Sequence, residues 1–296
     1  MNKFHLRKKN LTREDMVFSV FTHCFLIICS AFFLFPLLNV VAQSFSDNYH
    51  IIRGDVILLP KGFNLDAYAK LFSTDVVMSA YLNTILIAVG GCVLGLIMTA
   101  VAAYPLVFAE FKMKKIYSAG IMFTMWFSGG LIPTYIVMQR YGLLDSAFSL
   151  IFNSLIGAYN VLIMKSYFTT IPSSLIESAR IDGASDPFIL FRIVIPLAKA
   201  SLATIALWII VGYWNDYLTP LTFLKSQEKY TLQLVLRELL NASRMDAETA
   251  GGLGQERLSE QLRYAVVVFS MLPIVAVYPF FQKYFVKGVM IGAVKG

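Results

Sequence analysis

The residues most able to do chemistry in this 296-residue chain are few, and their spacing builds no catalyst. The three histidines, His5, His23 and His50, are scattered, and no carboxylate, His or Ser gathers with basic partners into a catalytic constellation. A G-x-x-x-x-G-K-[ST] phosphate loop is absent, so nucleotide energy has to come from another polypeptide and no enzymatic activity is expected of this chain. Cys24, Cys29 and Cys92 lie in apolar runs without a CxxC pair, which fits small buried hydrophobes rather than a disulfide framework or a zinc site. What remains is neutral hydrogen-bonding chemistry set in apolar sequence: Asn39 and Gln43, Asn83, Asn153 and Asn160, then Asn215 beside Asp216. Such groups cost free energy in lipid and are functional candidates wherever a helix carries them through it.

The elements that must hold them are set by composition. The chain is 57% hydrophobic, 14% aromatic and only 15% charged, which excludes a soluble enzyme, a disordered tail and a nucleic-acid module. Uncharged or nearly uncharged windows run over Met16–Ser46, Val76–Ala109, Ile116–Gln139, Ser146–Met164, Ala200–Leu224 (interrupted by Asp216) and Tyr264–Gln282. Each supplies the ~20 residues that a helix needs to cross ~30 Å of hydrocarbon. Period-two alternation is absent, so the expected fold is an all-α membrane protein of six transmembrane helices. The first window outruns a signal core and has no suitable cleavage site, so it reads as a retained helix.

Loop charge sets the orientation. The tail 1–15, the loops 110–115 and 165–199 and the tail 285–296, with neighbouring Lys283, carry fifteen Lys and Arg; the loops 47–75, 140–145 and 216–263 carry ten. The acidic residues divide six against twelve the other way, so one side nets +9 and the other −2. Both termini are therefore expected in the cytoplasm, and the formal +7 is a topology signal.

Loop 165–199 is the most informative stretch. Ser174 followed by Glu177 reads as a capping box, Gly183 stands where a left-handed residue ends a short helix, and Ser185 or Asp186 before Pro187 starts another. Phe188, Phe191 and Ile195 share one face of that second helix, and Pro196 ends or kinks it before span five. The product is a helical knob tipped with small residues and joined through one proline to a membrane helix. On local physics alone, Glu177 as a mere cap and Gly183 as a mere turn remain an equal alternative.

Glu177-Ser-Ala-Arg-Ile-Asp182-Gly183-Ala184, with Phe188, Ile193 and Ile195-Pro196-Leu197 behind it, resembles the EAA loop of membrane subunits of binding-protein-dependent ABC importers. Ser178 replaces the second-position alanine and Ile195 a usual leucine. Tyr213-Trp214-Asn215-Asp216-Tyr217, Asn83-Thr84 and the segment from Lys287 to Gly296 resemble the carbohydrate-uptake branch, and Gly129-Gly130-Leu-Ile-Pro133-Thr-Tyr135 resembles its LplC-type permeases, close to the maltose type. The resemblance implies a type I ABC importer permease fold, with domain 16–284 between the two tails and a coupling helix that docks into a groove of a cytoplasmic ATPase.

Carried over residue by residue, it places Glu177, Ser178, Ala179, Asp182, Gly183, Ala184 and Pro196 in that coupling region. Lys287, Gly288, Gly292 and Lys295 fall in a tail that enters the ATPase interface, with a solvated end as the alternative. The implied partners are a second homologous permease, an ATPase homodimer that holds ATP and Mg, an extracytoplasmic solute-binding protein docking on loops 47–75 and 216–263, and a sugar, in a bacterial plasma membrane. No cofactor on this chain and no nucleic acid are implied.

A pathway for a polyhydroxylated solute wants amides and aromatic faces, which Asn83, Asn160, Tyr213, Trp214, Asn215 and Asp216 offer. Asn83 and Asn160 suit interhelical hydrogen bonds equally well, and Trp214 suits the outer aromatic belt better. Gly91 and Gly95 form a GxxxG, and Pro36, Pro105, Pro133, Pro273 and Pro279 are candidate kinks. An ion-coupled transporter would need titratable groups near mid-membrane, where only Asp216, near one end, is available. A non-transporting scaffold leaves the knob unexplained.

Overall fold

Long apolar windows have to close their own backbone hydrogen bonds, and this chain does so in helices. The structure, a computed structural model, describes residues 13–108, 112–249 and 260–293, and among them every regular element is helical. The chain forms two compact units, one of the described residues through Leu71 together with those of 255–268, the other of the remainder.

The first unit contains α1 (Arg13–Ser44), α2 (Asn48–Ile52) and α3 (Asp66–Phe72). Apolar side chains of α1 are exposed on all sides over most of its length, the form a lipid-facing helix takes. Its last turns are engaged by polar contacts. Asn39 donates to the carbonyls of Val56 (3.1 Å) and Ile57 (2.7 Å), Gln43 donates to Asn39, and Tyr68 donates to Ser44 Oγ at 2.8 Å. Gln261 reaches Asn64 Oδ1 at 2.6 Å. Asn39 and Gln43 therefore fasten a loop.

The second unit is organised on α4 (Asp75–Val107). After it come α5 (Lys114–Trp126) and α6 (Leu131–Arg140), bent by 111° at their junction, then α7 (Ala147–Asn153) and α8 (Ala158–Phe168), bent by 56°. The loop between α8 and the next long helix folds into α9 (Ser173–Ile181), α10 (Asp186–Ile189), a π turn (Leu190–Val194) and α11 (Ile195–Leu197). There follow α12 (Lys199–Asn215), α13 (Leu218–Phe223), a 3₁₀ turn (Gln227–Lys229), the amphipathic α14 (Leu232–Thr249) and α15 (Glu260–Ala293).

Three helices, α1, α4 and α15 through Phe280, are long and apolar enough to cross a membrane alone, and taking each bent pair as one span gives six. The breaks differ from the expected kink sites. Helices α1, α4 and α15 run through Pro36, Pro105, Pro273 and Pro279 unbroken, whereas span three parts at Ser128-Gly129-Gly130 and span four before Gly157. Glycine at Gly130 takes φ +84°, a conformation a helix cannot contain, and this decides that break. The expected C-terminal tail from residue 285 has a helical backbone continuing α15 to Ala293, and 294–296 lie outside the described residues.

Helix α4 packs most extensively on α12. A Cβ at Gly91 would collide with the Tyr213 ring, and one at Gly95 would stand 3.3 Å from Ile209, so the GxxxG pair serves close helix approach. The principal core gathers Ala100, Ala103 and Tyr104 of α4, Met164 and Phe168 of α8, Ile176 of α9, Ile189, Val194 and Ile205. This core seats the base of the knob on the membrane helices.

Candidate functional site

The knob is α9, its turn and α10. Helix α9 ends in a Schellman motif: Ala184 N donates to Ala179 O at 2.9 Å, Gly183 N to Arg180 O at 3.0 Å, and Gly183 takes φ +79°. The left-handed glycine expected from the sequence is present, with open space in front of it. The capping box is not. Pro172, with fixed φ, is the N-cap and Leu175 N already bonds Pro172 O, so Ser174 falls inside the first turn and its side chain makes no cap.

Glu177, Ser178, Asp182 and Gly183 are exposed, and Ala179 and Ala184 half-buried. Ile176 anchors α9 in the core while Ile181 is 86% exposed and Leu175 also faces out. The tip of the knob thus presents an uncovered apolar rim around a glycine and a carboxylate.

The face formed by Phe188, Phe191 and Ile195 is not the buried face of the second helix. Phe188 and Phe191 are exposed, and the buried residues are Ile189, Leu190 and Val194. The next turn is a π turn, in which Ile195 N bonds Leu190 O, and Leu190 and Val194 lie on its buried side. It also eases the approach to Pro196, whose ring would collide with a carbonyl one α-turn back. The chain then turns by 86° into α12.

Three segments meet behind the knob. Tyr104 Oη donates to Asp186 Oδ1 at 2.8 Å, and one Arg180 nitrogen donates to the same oxygen at 3.1 Å and to Phe108 O at 2.9 Å. Phe108 caps the C-terminal end of α4, where carbonyls lack intrahelical partners and the helix dipole favours a cation.

A second feature lies between α8 and α12. A cavity of about 440 Å³ is lined by Ser154, Tyr159, Asn160, Trp208, Gly212 and Asp216, among others. The Tyr159 and Trp208 rings stand 5.6 Å apart, 54% and 38% exposed. Trp208, Gly212 and Asn215 form one exposed stripe along α12 at helical spacing, and nothing lies within 4 Å of a Cβ at Gly212. Glycine, amide and carboxylate on an open face suit water or a polar solute and not lipid. Broken backbone, as before Gly157, is tolerated at membrane depth where it lines such a space.

A model of the family described as binding-protein-dependent transport system inner membrane component matches residues 13–291. The chain belongs to this family. It is 36% identical over 285 residues to the polygalacturonan/rhamnogalacturonan transport system permease protein YtcP of Bacillus subtilis (strain 168), covering 96% of this chain and all of the relative. It is 38% identical to Protein LplC of the same strain, with 96% and 97% covered. A crystal structure of a bacterial ABC transporter involved in the import of the acidic polysaccharide alginate contains a chain with TM-score 0.83 at 34% identity, over 93% of this chain and 98% of that one. The protein is thus a membrane-embedded permease subunit of an ABC importer with the type I permease fold, and in these systems ATP is hydrolysed on a separate subunit. The membership gives no support to the ion-coupled alternative.

The remaining candidates of this permease are distributed unevenly. Asn160 and Asp216 line the cavity, and Asp216 also accepts from Thr219 N at 3.1 Å as it caps the start of α13. Asn215 is exposed on the stripe and donates to Val211 O at 3.0 Å. Tyr213 lies at the cavity wall but is buried, its hydroxyl donating to Ile151 O at 3.1 Å. Trp214 is withdrawn from both the belt and the pathway: it is 4% exposed, edge-on to Tyr81, with Nε1 donating to Ser270 O at 3.0 Å. That carbonyl on α15 gives the indole N–H a partner, so burial costs it nothing in hydrogen bonds.

Asn83 lines a separate cavity and holds the carbonyls of Glu228 (2.7 Å) and Tyr230 (3.2 Å), a fastening role. Lys287, Gly288 and Gly292 fall on the backbone of α15, and Lys295 lies outside the described residues. Tyr159 and Trp208 went unnoticed in the sequence, where only the aromatic content of the two windows could have pointed to them.

Proposed function

We propose that this permease imports an oligosaccharide, acidic uronate-containing ones being the first class to test, and that the knob is its coupling element toward a cytoplasmic ATPase dimer. In this reading Glu177, Ser178, Ala179, Asp182, Gly183 and Ala184 meet the ATPase groove, with ATP and Mg bound there. A second permease completes the pathway and a binding protein delivers the sugar from outside. Both termini face the cytoplasm of a bacterial cell whose plasma membrane holds the complex.

The observation that carries the coupling role is the exposed Gly183 turn, set on a buried base and flanked by an uncovered apolar rim. The sugar reading is supported by relatives named for polygalacturonan/rhamnogalacturonan and alginate transport. It is also supported by the cavity, where two aromatic rings stand beside Asn160 and Asp216. Rings pack on the apolar faces of a sugar while an amide and a carboxylate take its hydroxyls. Asp216 has no cationic neighbour in that lining, so a substrate carboxylate would have to point away from it.

The test is uptake of defined oligouronides and neutral oligosaccharides by proteoliposomes holding the whole importer. Trp208→Ala is expected to lower uptake about tenfold, while binding of sugar to the isolated binding protein is unchanged. Unaltered uptake in Trp208→Ala and Tyr159→Ala would remove the cavity from the pathway, and uptake without ATP would remove the coupling role.

A further inference from the structure

We propose that Arg180, Asp186 and Tyr104 form a latch that makes the knob and the adjoining end of α4 one mechanical body, so that displacement of the knob is delivered to α4. The inference rests on the coupling role proposed above and names the residues through which it leaves the knob.

Packing alone does not fix α9. Of its nine residues only Ile176 is buried, and Ile181 on its last turn is almost wholly uncovered. Half-buried Ala179 packs on the same core, so the helix is held along one edge and can still roll about that edge. The bonds that oppose rolling are polar and converge on few atoms. Arg180 stands in the last turn of α9, Asp186 in the first turn of α10, and the two acceptors of Arg180 belong to α10 and to the terminal carbonyl of α4. Tyr104, one turn before that carbonyl, supplies the third bond from a ring that is 6% exposed and packed against Phe108 at 5.5 Å.

The energy of the ion pair is not the point. Arg180 and Asp186 are one-third and one-half exposed, and pairs so placed contribute little to stability. Their use is geometric: one Asp186 oxygen accepts from both sides of the junction, so neither flank of the Gly183 turn can move without dragging α4.

Beyond the latch the way is rigid. From Tyr104 to Gly91 is about 20 Å along one helix. At Gly91 the backbone of α4 presses on the ring of Tyr213, whose hydroxyl is tied to α7 and which borders the cavity. A displacement entering at Arg180 therefore reaches the cavity wall through one helix and one close contact. Double-mutant analysis measures the energetic coupling along this line. The three side chains are positioning residues and touch no solute.

The experiment uses the complete importer in proteoliposomes with Tyr104→Phe, Asp186→Asn, Arg180→Gln and the double variant Tyr104→Phe/Asp186→Asn. A crosslink from Ser178→Cys to the ATPase reports docking of the knob. The expected result is retained crosslinking and basal ATP hydrolysis within about twofold, with uptake and sugar-stimulated hydrolysis reduced tenfold or more, and a double variant no worse than its worse single. Uptake at the parent level in Tyr104→Phe and Asp186→Asn overturns the latch. So does loss of crosslinking in the variants, which would make these residues a fold requirement of the knob. If the otherwise unsubstituted complex gives no crosslink from position 178, the coupling reading fails instead.

Discussion

The two ends of α4 are both fastened by side chains, in opposite ways. At the knob end the bonds run between a tyrosine, an arginine and an aspartate drawn from three segments, and two of the three are partly exposed. At the far end Asn83 and Ser79 hold the carbonyl of Glu228, Asn83 also holds that of Tyr230, and the buried Thr84 hydroxyl accepts from Leu232 N at 2.8 Å. Charged, half-wet bonds between side chains add little to stability and act here by fixing geometry between segments. Neutral bonds to backbone around a buried hydroxyl are costly to leave unmade. In the proposed coupling, one end of the helix takes up the movement of the knob and the other holds a loop still.

The largest expected effect tests that contrast at the knob. Gly183→Asp puts a side chain where φ is +79° and a charge where the ATPase is proposed to sit, and uptake is expected to fall at least a hundredfold with the permease still folded. Gly183→Asn, which tolerates this backbone without adding charge, should be markedly milder. Equal loss in both, measured as transport per assembled complex, would assign the defect to the turn and not to docking.

Between the two ends, Gly91→Ala drives a methyl into the buried Tyr213 ring. It is expected to cost about 1–3 kcal/mol, read as a lower unfolding midpoint in detergent. Asn83→Ala at the far end leaves two carbonyls without their amide donor, and about 1–2 kcal/mol of stability is expected to go. Coupling should survive, seen as an unchanged ratio of sugar transported to ATP hydrolysed.

The smallest effect concerns Asp145, a non-glycine residue at φ 56°. Its carboxylate accepts from the Ser226 hydroxyl (2.6 Å), Ser226 N, Lys225 N and Lys229 Nζ (2.9 Å). Those donors, Ser226 foremost, hold its carboxyl well below the usual carboxylate range. A depressed folded value gives stability that is fully present above the unfolded pKa, near 4, and lost as pH falls below it toward the folded value. Asp145→Asn is expected to speed proteolysis at 225–231 slightly at neutral pH, and the gap from the parent should close only below about pH 4. A gap closing near pH 6 would contradict the proposed clamp.

How much of this was legible in the chain follows from where the partners are. The six spans and the Gly183 turn could be read because hydrophobicity and a required left-handed glycine are local properties. The knob's buried face could not, because Phe188 and Ile189 are both apolar and only tertiary packing decides which of them is buried. The break before Gly157 was likewise hidden inside an apolar window. Trp214 carries every sign of an interfacial residue, yet it is buried by a backbone carbonyl on α15, and backbone acceptors look alike in every sequence. Arg180 and Asp186 were within the recognised loop, but their third member stands 82 positions from Asp186. Tyr159 and Trp208 become a pair only once α8 lies against α12.

The near right angle at Ala198 makes the knob segment and α12 two arms of a bell crank. A thrust along the first arm emerges as a swing of the second, whose 17 residues span about 25 Å. A rotation of a few degrees at such a corner carries the distal tip through about 2 Å, the scale of a helix shift that switches one protein state to another. In the proposed coupling, a short stroke at the knob would in this way reach the end of α12 that lines the cavity.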